Sequence, residues 1–448
     1  ELNKPINIVS VESNISLNCQ GKHINYSVTD SGSAVISNGT NNTIINCNIS
    51  TPGANGASNN FGIQILGNYS RAINNTIRTH GASNNYGIFV NGSYNEIYRN
   101  VISTNGTSSN NYGILLNTST GTIIQNNTIN TTGTFQNRGI SLLSSNYNQL
   151  ISNVIITNGS SANNMGILLL TSSNNILLNN SIISNGTLGN YGIALVSTTD
   201  SNNLSNNTIR TGGGIGDNVG IILNNSDANI MSNNLIITSG NQTGTDAGNT
   251  GILITGWSER NQMLNNIIKT SGSGGRNDGI HFNGTGSGLS GLFRTNIVSG
   301  NIINTSGNIS NYGIILNNRI ATGTDFNNNL IYANGNLGEN YGIFLAAQVN
   351  SGIVFNVTNN TIVSNGTSGC VGIFANFAAN LTYNVVKSSP SCKNTTGILA
   401  RSNFVEVTNN SINLTGGTSN SIGVLASGPF SSFFISGKTI SINSTGSN

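Results

Sequence analysis

The sequence predicts an all-β chain wound as a right-handed parallel β-helix. The expected solenoid has about 15 coils, three short strands per coil and an asparagine ladder at an inner corner. Three observations carry this: a recurrent Gly-Ile pair, an asparagine series in step with it, and a composition poor in charge. Charged residues make up only 6% of the chain, where an ordinary globular protein has about 25%. Hydrophobic residues are 36% and strongly patterned, which argues against disorder.

The Gly series opens with Phe61-Gly62-Ile63, Tyr86-Gly87-Ile88, Tyr112-Gly113-Ile114, Arg138-Gly139-Ile140, Met165-Gly166-Ile167 and Tyr191-Gly192-Ile193. It continues through Gly220, Gly251, Gly279, Gly313, Gly342, Gly372, Gly397 and Gly423, with Ser33-Ala34-Val35 as a degenerate earlier member. The second series places Asn two positions before Ile or Val: Asn75, Asn100, Asn127, Asn153, Asn180, Asn207, Asn234, Asn266, Asn301, Asn329, Asn360, Asn384 and Asn410. Three residues before each stands a mostly aliphatic residue, from Ala72 and Ile97 to Val407.

One coil, residues 87–112, thus divides into GIFV, NGSY, NEIYRN, VIST and NGTSSNNY. Its apolar runs are too short and too β-branched for helices and alternate with period 2. Stacking brings equivalent residues of successive coils to about 4.8 Å. The Asn amides can then bond along the stack, and the Ile rows replace a globular core. Residues 1–448 read as a single β-helix domain, with irregular longer coils at about 240–300.

This pattern resembles the parallel β-helix repeat family, including the NosD-like periplasmic proteins and related archaeal surface proteins. The stretch Asn14-Ile15-Ser16-Leu17-Asn18-Cys19-Gln20-Gly21-Lys22-His23-Ile24 is similar to that family's first coil. The resemblance covers nearly the whole chain and implies the fold. The same fold serves lyases, binding proteins and structural rods, so function must come from sites.

Net charge is +3 without a basic run, which gives nucleic acid nothing to hold. No apolar stretch approaches the roughly 20 residues of a membrane span. The chain begins at Glu1 without Met or an apolar targeting segment, as expected of a secreted mature product.

Cys19 and Cys47 are 28 residues apart, one coil, and Cys47 occupies the ladder position before Asn75. Cys370 and Cys392 fall in the corner before the first strand of adjacent coils. Both pairs suit disulfides near the two ends in an oxidising compartment, free buried thiols being the alternative. No His lies at ligand spacing from them, so a zinc site is not expected.

Thirty Asn-x-Ser/Thr sequons occur. A chain rich in these residues makes many by chance, but two sets are placed for use as covalent N-glycan acceptors. The first stands just before the ladder, turned away from it by parity: Asn74, Asn126, Asn179, Asn206, Asn359 and Asn409. The second is expected in the corner after the third strand: Asn38, Asn105, Asn158, Asn185 and Asn365.

No catalytic motif and no cofactor requirement emerge. The one region enriched in chemistry is 246–294, with Trp257, Glu259, Arg260, Asp278 and His281 as a candidate ligand patch. Its plainer reading is a loop insertion with scattered charge, since no carboxylate pair has acid–base spacing. Calcium at Asp217, Asp246 or Asp278 is a weaker possibility, and a polysaccharide lyase is the one enzymatic alternative.

Two features point to self-association. If Gly+1 and Gly+3 face inward, Gly+2 faces out, making an apolar stripe: Phe89, Leu115, Leu168, Ala194, Ile222, Leu253, Ile315, Phe344, Phe374, Leu399 and Leu425. Ser141 and His281 interrupt it, and a bare Gly row runs beside it. Either the stripe is exposed or corner loops cover it. Neither end shows a capping helix, and Lys438 stands where the last coil expects Asn. Head-to-tail and lateral contacts between copies are therefore expected. The sequence reading is an extracellular glycosylated structural subunit of a surface filament, sheath or S-layer-like coat. The alternative is a carbohydrate-binding adhesin or polysaccharide lyase on the same fold.

Overall fold

The structure, a computed structural model of the chain, describes residues 6–8, 12–26, 31–51, 58–214, 216–240, 248–274, 276–284, 293–317, 321–346, 354–402, 404–416, 419–427 and 433–443. They divide into two compact units, Glu1–Gly213 and Gly214–Asn448.

In Glu1–Gly213 each coil gives one strand to each of three parallel sheets. A representative coil places Tyr86–Val90 in the first sheet, Glu96–Tyr98 in the second and Val101–Gly106 in the third. Strands pair with their equivalents one coil on: Ile88 with Ile114, Ile97 with Ile124, Ile102 with Ile129. These isoleucines are buried and form the aliphatic stacks. Branched side chains fit this setting because each packs on the pleat and on its copies above and below.

The asparagine ladder forms. Asn75 Nδ2 donates to Asn100 Oδ1, Asn100 to Asn127, Asn127 to Asn153, Asn153 to Asn180 and Asn180 to Asn207, each at 3.0 Å. Each oxygen also accepts the preceding ladder residue's backbone N–H, as Asn127 Oδ1 does from Asn100 at 2.9 Å. The second amide hydrogen goes back to a strand carbonyl, as from Asn100 to Ala72 at 2.8 Å. The bend's buried polar groups are thus paired, which is the condition for burying them. The residue before each ladder Asn has a left-handed backbone: φ is 53° at Asn74, 55° at Asn126 and 57° at Asn179, a conformation Asn tolerates well.

Two more interior rows were not foreseen. Asn85, Asn111, Asn137 and Asn164, two residues before the recurrent Gly, link by Nδ2-to-Oδ1 bonds of 2.9, 3.3 and 3.0 Å. Asn148, Asn175 and Asn202, before the second strand, link at 3.1 Å each.

The Gly row faces inward, not outward as expected. Asn85, Gly87, Ile88 and Val90 are buried while Tyr86 and Phe89 are half-buried, so the alternation slips by one at the Gly, as in a bulge. A Cβ at Gly87 would lie 2.6 Å from the carbonyl oxygen of Gly113 and against Ile102 of the third sheet. The row is an internal seam, and no second backbone can approach it.

The apolar stripe also differs from a bare outer strip. Leu115, Leu168 and Ala194 are buried. The slip at Gly puts the Gly−1 residues on the same outer face, where their rings cover the stripe: Phe61 lies 5.8 Å and Tyr86 6.4 Å from Phe89.

Gly214–Asn448 repeats the plan. Its first sheet runs from Asn218–Asn224 through Gly248–Thr255, Arg276–Asn283 and Asn311–Leu316 to Asn420–Ala426. The ladder passes from Asn234 through Asn266, Asn301, Asn329, Asn360 and Asn384 to Asn410, with Nδ2-to-Oδ1 distances of 2.9–3.0 Å. Asn218, Asn249, Asn277, Asn311 and Asn340 form this unit's row before the Gly. In the long coils, Phe293–Arg294 pairs with Ala321–Thr322 outside the three sheets. Lys438 is exposed. The stripe is buried at Ile315, Phe374 and Leu399 and half-buried at Phe344 and Leu425.

Both cysteine pairs are disulfides, with Cα separations of 4.8 Å for Cys19–Cys47 and 6.0 Å for Cys370–Cys392. Cys47 donates its backbone N–H to Asn75 Oδ1 at 2.9 Å, as a ladder Asn would. Cys370 lies within the strand Gly369–Ala375, at the register position of Asn340. Among the described residues no helix is long and apolar enough to cross a membrane.

Candidate functional site

The candidate ligand patch does not assemble as one site. Trp257, Glu259 and Arg260 lie in the turn between Gly248–Thr255 and Gln262–Leu264. Trp257 is 49% exposed. Arg260 pairs with Asp227 at 3.6 Å, and the Glu259 backbone N–H donates to Asp227 at 2.7 Å. Asp278 and His281 sit instead on the outer face of Arg276–Asn283, in a recess of about 250 Å³.

The recess collects residues from several coils because the parallel register stacks them: Asp217, Thr250, Arg276, Asp278, His281 and Asn317. Asp278 Oδ2 accepts from Arg276 Nε at 3.0 Å and lies 3.0 Å from His281 Nδ1. His281 Nε2 lies 3.1 Å from Asn317 Oδ1. The Arg276 guanidinium also sits 5.3 Å over the Tyr312 ring, a cation–π contact. Asp217 accepts the Gly248 backbone N–H at 3.1 Å, and burial pushes its carboxyl above the usual range.

Asp278 and His281 are both buried, and Asp278 Oδ1 has no hydrogen-bond partner among the described residues. A buried carboxylate oxygen left unpaired costs about 1–3 kcal/mol or more. What the recess presents is the part-exposed Arg276 guanidinium, with Asp217 also on its wall. Asp278 holds Arg276 and His281 through one oxygen, which suits it to positioning them better than to donating a proton.

The possible calcium positions separate. Asp217 and Asp278 share the recess, while Asp246 lies outside the described residues. Among the described residues no group of three or more His, Cys, Asp or Glu is placed to hold a metal ion. Asn317 and Tyr312 were not singled out by the sequence.

Beyond Tyr312 the same face continues as an aromatic row: Tyr312–Tyr341 stack at 5.1 Å and Phe344–Phe374 at 4.6 Å. Arg401 lies 5.4 Å over Phe374. A matching cluster in the first unit joins Tyr86 and Tyr112 at 5.0 Å, with Arg138 donating to the Tyr112 hydroxyl at 2.7 Å.

Of the sequon residues, Asn74, Asn126, Asn179, Asn206, Asn359 and Asn409 are exposed at the corner before the ladder. In the second set, Asn105, Asn158, Asn185 and Asn365 lie inside third-sheet strands and not in the corner beyond them. Asn38 follows the first-sheet strand Gly32–Ser37.

Three parallel sheets with interior polar ladders and a recess on an outer face define a parallel β-helix protein. The chain belongs to the right-handed β-helix family, whose model matches residues 33–209 and 86–290. A comparison with curated proteins finds no match. Among solved structures, the Vag8–C1 inhibitor complex is similar over 96% of both chains, with 11% identity and a TM-score of 0.54. The Azotobacter vinelandii mannuronan C-5 epimerase AlgE6 A-module matches 85% of this chain and 91% of its own, with 10% identity and a TM-score of 0.42. The Dettilon tailspike protein matches 77% and 60%, with 15% identity and a TM-score of 0.43. Identities this low speak to the fold alone.

Proposed function

We propose that the chain is an extracellular, N-glycosylated structural protein, a subunit of a surface filament, sheath or S-layer-like coat. The observation that carries this reading is the division of its asparagines. The ladder asparagines are buried and bonded to copies of themselves, while no sequon Asn is buried among the described residues. Interior and exterior are thus given to different tasks: stacking within, and a sparsely charged surface that accepts glycans without. The disulfides fit the oxidising compartment this requires.

Contact between copies uses a lateral surface other than the ring-covered apolar stripe. Leu235, Ile267, Ile302 and Leu330 stand in register on the outer face of the third sheet. Ile267 is 40% and Ile302 43% exposed. The test is light scattering with negative-stain microscopy across salt and concentration. Assembly that weakens in an Ile267→Asp/Ile302→Asp variant is expected; dispersed monomers under every condition contradict the proposal.

The recess itself, with the part-exposed Arg276 guanidinium on its wall, favours a second reading, a saccharide-binding site. Calorimetry with neutral and acidic oligosaccharides tests this: binding lost on Asp278→Asn supports it, and no heat with any of them removes it.

A further inference from the structure

We infer that the N-glycans sit on one structural device, a left-handed corner Asn followed by a buried ladder Asn and an outward hydroxyl. This rests on the glycoprotein reading above and names its acceptor sites: Asn74, Asn126, Asn179, Asn206, Asn359 and Asn409. Their φ values lie between 53° and 57°. The middle residue of each sequon, such as Asn75 or Asn127, is buried and clamped by the ladder. The Ser or Thr two residues on returns to the outer side by strand parity, and Thr76, Thr128, Ser181, Thr208, Thr361 and Ser411 are all half or fully exposed. Acceptor amide and hydroxyl therefore emerge together, on a backbone already held.

The same device appears at the preceding corner in Asn41-Asn42-Thr43, where Asn41 has a φ of 57° and Asn42 is buried. Sequence spacing alone did not select Asn41, and the structure adds it to the set.

Strand-borne sequons offer less room. Asn158 lies between Thr132 and Asn185 at one-coil spacing and has Ile156 of its own strand beside it on the same outer face, so it has neighbours both along and across the sheet. Asn365 is only half-exposed and donates to Asn334 at 2.7 Å. Corner amides also donate along their row, Asn74 to Asn46 at 2.7 Å. A glycosylated amide keeps one N–H, so that bond survives modification.

The donor class is an oligosaccharide linked to a polyprenyl diphosphate. The Asn Nδ2 forms a bond to the anomeric carbon, the bond from that carbon to the phosphate oxygen breaks, the diphosphate leaves with the electron pair, and the amide gives up one proton.

The test is site-resolved glycopeptide mass spectrometry on the protein from its native source, beside Thr76→Val and Thr361→Val variants. Valine is tolerated at this place, since Val101 and Val385 hold it in neighbouring coils. The expected result is occupancy at the seven corner asparagines above that of the strand-borne sequons. Each variant should lose one glycan mass with unchanged thermal unfolding. Glycans confined to the strand-borne sequons would overturn the inference and leave the glycoprotein reading standing. Bare asparagine at every sequon would overturn both.

Discussion

Asn153 donates from Nδ2 to Asn180 Oδ1 at 3.0 Å while the same amide reaches Ile124 O at 2.8 Å, so one side chain ties together three successive coils. Its own oxygen accepts both the backbone and side-chain N–H of Asn127, each at 3.0 Å. Asn153→Ala strands these buried groups, and a loss of about 3 kcal/mol is expected at about 1–3 kcal/mol per orphaned group. Because repeats fray locally, the measurement is hydrogen exchange, with protection lost at residues 124–180 first.

The Gly seam gives a sharper steric test. A Cβ at Gly113 would stand 2.6 Å from Gly139 O and against Ile129. Gly113→Ala should destabilise by roughly 2 kcal/mol or more, whereas Ser141→Ala on the outer face should cost far less. Thermal unfolding of the two variants side by side decides it.

The Cys19–Cys47 disulfide closes a 28-residue separation, for which chain entropy gives about 3–4 kcal/mol. Replacing both cysteines by Ser should loosen the first coils selectively. Proteolysis within residues 12–50, with later coils still protected, is the expected outcome.

Alkaline pH should weaken the first unit. Burial, then the charge of Tyr112, pushes the Tyr86 hydroxyl up to about 12. The unfolded chain releases this proton near pH 10, so stability falls as pH rises from there towards 12. Tyr86→Phe should flatten that part of the curve, as read by unfolding midpoints from pH 8 to 12.

The fold was legible because its two recurrences sit on strands where period and chemistry agree. Asn75, Asn100 and their successors precede inward isoleucines, so parity alone sends their amides inside. The Asn85 row was visible in sequence two residues before each Gly, yet a uniform period of 2 cannot represent the slip at Gly87. That slip hid the second ladder, turned the Gly row inward and placed Tyr86 over the stripe. The recess was legible only in part. Asp278 and His281 share a strand, but Asp217 and Asn317 join them through register across coils of unequal length. Trp257 shared their stretch of sequence and belongs to a different face.

The most direct test of the central claim is cryo-electron microscopy of native material. The expected result is ordered assemblies in which copies meet through the apolar strip of Ile267 and Ile302, with branched density leaving the corner at Asn126 and Asn359. Isolated copies with bare corners would contradict it.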